Sequence, residues 1–255
     1  MGYGEAEMRD FIRLSMINIA NRFSVIGHSN FYNLSRNVLE VRNLKCLMIA
    51  MGWSEQPVIA GNHLYDFDYL EDLNERRIRD AEVIAAACAN CDGKTILEIG
   101  TAHGETTVLM SENAKTAQIY TINIPPDEIE NGGVLTTFAP SIDDIGRAYK
   151  ALGLSNINQI YANTASWVPN IGVIHLAFID GCHDADFVYN DTKKILASCV
   201  SGSLILWHDF NPGLSSTYGW INNVCSGVER LYRDGLIKGR ILHLQDSWVG
   251  LYRVP

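Results

Sequence analysis

The chain is short of positive charge: 20 Lys and Arg residues stand against 29 Asp and Glu, a formal net charge of -9 over 255 residues. Without a basic stripe there is little to neutralise a phosphate backbone, the term that supplies most non-specific affinity for nucleic acid. DNA and RNA are therefore not expected partners, and a small-molecule substrate is. Long apolar runs are lacking too. None reaches the roughly 18 residues that cross a bilayer. The acidic opening MGYGEAEMRD has neither the basic segment nor the apolar core of a secretory signal. The expected setting is the cytoplasm, with no membrane partner. Gly2 makes no myristoylation site, because Ala6 stands where that motif takes Ser or Thr. Zinc spacing is absent as well. Cys46, Cys88, Cys91, Cys182, Cys199 and Cys225 are scattered through apolar or helical contexts and read as buried thiols of a reducing compartment. Cys88 and Cys91 form a CxxC, but no second pair or histidine pair follows at metal spacing.

What is present is apolar matter enough for one large core, 47% of residues against 19% charged. Residues 1–92 read as a mostly helical extension: EAEMRDFIRLSMINIANRF carries apolar residues at helical spacing, and YLEDLNERRIRDAEVIAAACANC ends in a long helix. From residue 93 to the C-terminus the pattern changes to short apolar runs, TILEI, QIYTINI, INQIY, VIHLAFI and SLILW, separated by helical stretches. Near-continuous apolar strands alternating with helices are what a parallel sheet covered on both faces requires. GRILHL and WVGLYRV, joined by Gln245, Asp246 and Ser247, predict an antiparallel pair ending that sheet. The expected fold is α/β, a Rossmann-like doubly wound sheet, mostly parallel with a C-terminal antiparallel hairpin.

In such a sheet the ligand lies at the carboxyl ends of the strands, beside the first of them. There the sequence reads ILEIGTAHGETT, with Gly100 and Gly104 just past the strand. The dinucleotide fingerprint needs a second glycine where this chain has Ala102, and no Gly-Lys-Ser or Gly-Lys-Thr follows to make a P-loop. A pyrophosphate or triphosphate ligand is disfavoured.

Glu98, Gly100 and Gly104 match the acidic residue and Gly-x-x-x-Gly of the first motif of class I S-adenosylmethionine-dependent methyltransferases. From about Ile96 onward the chain resembles that family, terminal hairpin included. FIDGCHDADFVYNDTKKIL and GSLILWHDF are similar to the small-molecule subgroup that carries Ile-Asp-Gly-x-His and His-Asp signatures. The resemblance implies S-adenosylmethionine as cofactor, bound by Glu98, Gly100, Thr101, Ala102, Gly104, Thr106, Asn123, Asn163, Thr164 and Asp180. Glycines would let backbone amides approach the methionyl carboxylate, and Glu98 would help hold the ammonium. Two positions depart from the family. The acid that grips the ribose hydroxyls is Asn123 here, and the acid facing the adenine amino group is Asn163. An amide keeps the shape and one acceptor, adds a donor, and loses charge assistance. Asp127 or Glu128 are the acids near enough in sequence to substitute.

Asp180 ends the fourth strand of this region, and His208 and Asp209 end the fifth, with His183 in the turn IDGCHDAD. Neighbouring strands would put these ends about 5 Å apart, facing the glycine loop. Two readings of this cluster stand open. Asp180 and Asp209 could hold Mg²⁺ or another divalent metal, which would orient a substrate hydroxyl and lower its pKa. Relatives with such a metal resemble this chain in placing carboxylates at these two strand ends, although Asp209 is preceded by His208 and followed by Phe210. Alternatively His183 or His208, with Asp180, acts in proton transfer, His183 being the preferred base. A bland reading has the carboxylates fixing loops and the histidines packing; Asp184 or Asp186 could cap the next helix, and His103 and His175 read as a loop residue and a structural residue. Trp53, Tyr65, Phe67 and Tyr69 could be core, pocket lid or the contact of a homodimer. The expected function is methyl transfer to a small-molecule acceptor, most simply at a hydroxyl. The alternatives are a non-catalytic binding protein on the same fold and a metal-dependent hydroxylase-like relative.

Overall fold

The computed structural model describes residues 31–59, 71–130 and 140–255, the side chains of 71–77 and 130 excepted. The helix expected early in the N-terminal extension, and Tyr65, Phe67 and Tyr69, lie outside these. Among the described residues eight strands form one sheet: β1 (Val38–Val41), β2 (Thr95–Ile99), β3 (Gln118–Asn123), β4 (Ile157–Tyr161), β5 (Ile174–Ile179), β6 (Cys199–Trp207), β7 (Ile241–Leu244) and β8 (Gly250–Arg253). Their order is β1-β7-β8-β6-β5-β2-β3-β4, parallel except for the two pairings of β8. The helices are α1 (Leu34–Asn37), α2 (Leu44–Met51), α3 (Glu71–Ala89), α4 (Glu105–Asn113), α5 (Pro126–Glu130), α6 (Arg147–Ala151), α7 (Ala185–Leu196) and α8 (Gly219–Arg233).

Successive strand side chains point to opposite faces. Ile96, Leu176, Phe178, Leu204 and Leu206 join one buried cluster, with α2, α3 and α4 packed over it. Leu97, Ile99, Ala177, Ile179, Ile205 and Trp207 join a second beneath α7 and α8. Both faces of the central strands are thus covered, which is why these runs are near-continuously apolar and do not alternate. No described helix is long and apolar enough to cross a membrane. All six cysteines are free thiols. Burial pushes Cys91 up to about 11 and raises Cys88 well above its ordinary value, so the CxxC is protonated core.

The expected hairpin is present as β7 and β8, but it does not end the sheet. β8 lies between β6 and β7, and β1 pairs in parallel with β7 outside it. The N-terminal region therefore contributes an edge strand as well as helices. With only four residues, Val-Leu-Glu-Val, and helices on both sides, β1 is too short for its period to stand out. At the centre, β2 has β3 on one side and β5 on the other, and the chain reverses direction of winding there. This switch point is where the crevice opens.

Candidate active site

Gly100 follows β2 at φ +103, and a Cβ on it would stand 2.0 Å from the Asp180 carbonyl oxygen. Glycine at this position lets the ends of β2 and β5 touch. Gly104, at φ +89, has a different reason: a Cβ there would meet the Tyr149 ring at 2.8 Å, on α6. Between them Ala102 holds a left-handed φ of 47. Backbone bonds lock this turn, from Gly100 N to Ile122 O at 2.8 Å and from Gly146 N to Ala102 O at 2.9 Å.

Glu98 has no exposed surface. Its Oε2 accepts from the Thr107 and Thr121 hydroxyls, each at 2.5 Å, while Oε1 is buried without a partner. Burial raises the carboxyl to about 8, against the pull of those two hydroxyls. Thr101 joins the same buried network through Thr121 at 2.7 Å. Of the loop residues expected at the cofactor, Gly100 and Ala102 line the cavity; Glu98, Thr101 and Gly104 are buried outside its lining, and Thr106 is half-buried outside it.

The cavity lies at the carboxyl ends of β2 to β5. Ile99, Ile122, Ile124, Ala162 and Phe187 give it apolar walls, with Asn123, Asn163, Thr164, Asp180 and His183 among its polar groups. Asn123 accepts from Ala102 N at 3.0 Å and donates to Ile124 O at 2.9 Å. One acceptor position and one N–H remain to it. Asn163 closes its own turn, accepting from Ala165 N at 2.9 Å, and the Thr164 hydroxyl donates to buried Asp191. Asp127 and Glu128 fall in the first turn of α5 and outside the lining.

At the other side of the crevice the strand register sets Ile179 beside Trp207, so Asp180 and His208 follow on adjacent strands as expected. Nδ1 of His208 is 2.9 Å from Asp180 Oδ1 and 3.7 Å from Asp209 Oδ2. Nε2 of His183 is 3.0 Å from Asp209 Oδ2 and 3.6 Å from Asp180 Oδ1. One ligating atom from each of the four residues lies within 4.8 Å of the others. These two nitrogens are sealed from solvent, and the carboxylate oxygens beside them are ion-pair partners that complete no regular hydrogen bond to them. Asp209 itself holds a left-handed φ of 50, backbone strain of the kind found at functional sites. Burial opposes charge throughout the cluster, and the ion pairs outweigh it. Asp180 is held well below the usual carboxylate range, chiefly by His208, and Asp209 is lowered by the same ring. The carboxylates in turn lift His183 to about 9 and His208 well above its ordinary value.

One participant was not visible in the sequence. Asp80 on α3 is buried, with Oδ2 3.4 Å from His208 Nε2 and Oδ1 accepting from Trp248 N at 2.6 Å. An acid within a helix far from the signatures gives no signal by spacing; only the fold brings it here. His103 stands 3.2 Å from Arg147 on the loop, and His175 accepts from Thr95 N at 3.3 Å, both away from the cluster. His175 is half-buried, not fully buried. Asp184 holds the N-cap position of α7 without a side-chain cap bond, and Asp186 pairs with Arg230 at 2.8 Å.

Residues 97–210 match a family model described as a methyltransferase domain. The match spans 114 of the 255 residues, and the sheet order with the cavity at its switch point accords with that description. No curated protein matches the sequence. Among solved structures, the chain is similar to the O-methyltransferase NovP at 12% identity and a TM-score of 0.49, over 72% of this chain and 78% of that one. It is similar to the SAH-bound Podospora anserina methyltransferase PaMTH1 at 20% identity and 0.49, over 73% and 82%. The N-methyltransferase NodS from Bradyrhizobium japonicum matches at 14% and 0.48, over 73% and 99%. At these scores the likenesses carry no argument about the acceptor.

Proposed function

We propose that the protein transfers a methyl group from S-adenosylmethionine to a small-molecule acceptor, at a hydroxyl oxygen. The carrying observation is that Asp180 and His183 line the cavity beside the glycine turn and also belong to the charged cluster. A donor bound along the first would therefore meet an acceptor held at the second. S-adenosylmethionine supplies an electrophilic methyl group on a sulfonium. Gly100 and Ala102 offer backbone, Asn123 its remaining acceptor and donor to the ribose hydroxyls, and the walls around Ile122, Ile124 and Ala162 a slot for adenine, with Asn163 and Thr164 at its rim. Glu98 supports the turn from below through Thr107 and Thr121. Because the chemistry is a direct displacement, much of the acceleration comes from holding the two reactants in line.

The cluster's donor set fits a divalent cation: two carboxylates converge with two unbonded ring nitrogens, which a cation would engage. Asp180 and Asp209 would hold it, and a bound cation would acidify the acceptor hydroxyl. His183, lifted to about 9 by Asp180 and Asp209, carries a proton at neutral pH in this arrangement and is not poised as a free base. The test is calorimetric titration with S-adenosylhomocysteine, followed by transfer of labelled methyl from S-adenosylmethionine to catechols and sugar hydroxyls with and without chelator. Binding together with transfer that chelation abolishes is expected. Absence of binding at millimolar concentration would sink the methyltransferase reading; transfer that survives exhaustive chelation would return the role to His183.

A further inference from the structure

We infer that the site at the ends of β5 and β6 is built for an imidazole-seeking divalent ion of the iron-to-zinc series and not for Mg²⁺, with Asp80 as the residue that positions His208. The inference rests on the proposed cation at this cluster and names its class. Asp180 and Asp209 alone would suit a hard ion that prefers oxygen. Here, however, imidazoles supply half of the available donors: His183 Nε2 and His208 Nδ1 are buried, unbonded, and grouped with the two carboxylates. Nitrogen ligands move preference toward Fe, Co, Ni and Zn, and each nitrogen that replaces an oxygen is a loss to Mg²⁺.

Asp80 decides which nitrogen of His208 is available. Its Oδ1 is fixed by Trp248 N at 2.6 Å, and its Oδ2 faces Nε2 at 3.4 Å. With Nε2 directed at Asp80, Nδ1 is the nitrogen turned toward Asp180 at 2.9 Å and Asp209 at 3.7 Å. A divalent cation among the three atoms would take the place of the proton that otherwise sits between them. A carboxylate behind a ligating histidine is the usual way a protein fixes the ring's tautomer and strengthens the ligand. The N-terminal helix α3 thereby reaches the centre of the site, which the methyltransferase-domain match at residues 97–210 does not include.

The experiment uses the full chain after chelation, titrated with Co²⁺ as a spectroscopic probe and then challenged with Zn²⁺ or Mg²⁺. Visible ligand-field bands are expected, lost on adding one equivalent of Zn²⁺ and retained under about 100-fold excess of Mg²⁺. His208→Asp should weaken the bands and let Mg²⁺ raise the melting temperature where it does not in the parent; if that variant fails to fold, His183→Asn should likewise shift the bands. Asp80→Asn should weaken Co²⁺ binding by about tenfold. The melting temperature of the chelated protein should hardly change, and Asp80→Glu should restore part of the affinity. Mg²⁺ competing on equal terms, or no ion binding while S-adenosylhomocysteine still binds, would overturn the inference and leave the methyltransferase reading standing. Co²⁺ and Zn²⁺ binding without S-adenosylhomocysteine binding would do the reverse.

Discussion

At the ends of β2, β3 and β4 the polar groups that face the cavity are neutral and already bonded to the chain: Asn123 to Ala102 and Ile124, Asn163 to Ala165, Thr164 to Asp191. At the ends of β5 and β6 they are charged, crowded and short of good hydrogen bonds, with His183 and His208 caught between Asp180 and Asp209. A wall of neutral groups, partly bonded to the chain, recognises a ligand by shape and by the few hydrogen-bonding positions left to it. On the proposed function the first side is the cofactor wall and the second the reacting side, and Asp180 and His183, which line the cavity, join them.

The hardest way to break this contrast is to neutralise the shared residue. Asp180→Asn keeps the shape and removes the charge, and kcat/KM for methyl transfer is expected to fall by about 10³-fold, near 4 kcal/mol of transition-state stabilisation. S-adenosylhomocysteine affinity, measured by calorimetry, should change far less, because the cofactor wall is intact. Equal losses in both would erase the division between the two sides.

Next in size is the joint between them. In Gly100→Ala the new Cβ would stand 2.0 Å from a backbone oxygen of Asp180, which no side-chain motion can relieve. Chemical denaturation should show a loss of about 3 kcal/mol or more, since both overpacking and a positive φ are involved. Gly153→Ala, at φ +65 with nothing within 4 Å, should cost only its backbone strain of about 1 kcal/mol.

A smaller effect lies beneath the cofactor wall. Burial raises Glu98 to about 8 from an ordinary 4.5. Between those values the folded chain keeps a proton that the unfolded chain has lost. The stability this proton contributes is complete below about pH 4.5 and falls as pH rises toward 8, with a slope of up to about 1.4 kcal/mol per pH unit. Glu98→Gln, which cannot ionise, should flatten that part of a melting-temperature profile and melt above the parent at pH 8. An unchanged slope would mean that Glu98 is ionised in the fold.

How much of this was legible follows from where each signal resides. The strands of the sheet were readable because both of its faces are covered, so Ile96, Leu97 and Ile99 around Glu98, and Leu204–Trp207, read as near-continuous apolar runs. The cluster was readable because Asp180, His183, His208 and Asp209 sit at strand ends, which topology makes neighbours. Asp80 was not, since its role depends on a helix that packs back over the sheet from the N-terminal region. β1 was too short to show its period. The sealed position of Glu98 was hidden for a subtler reason: Thr107 and Thr121 look like ordinary helix and strand residues until the fold turns both hydroxyls onto one carboxylate.

The finest test of the contrast asks whether the amide at 123 is a loss or a fit. Asn123→Asp would keep the bond from Ala102 N, now made to a carboxylate, and forfeit the one to Ile124 O, replacing attraction there with repulsion between oxygens. Against that, a carboxylate facing two ribose hydroxyls gains charge-assisted bonds that an amide cannot offer. The site is buried, so both terms are felt, but the two hydroxyls and the Ala102 amide outnumber the single carbonyl. S-adenosylhomocysteine should bind tighter by about fivefold, near 1 kcal/mol. The variant should melt slightly below the parent when free of ligand. Weaker binding would show that the neutral wall is fitted to its ligand as an amide, and that the scarcity of charge on this side is part of the site's design.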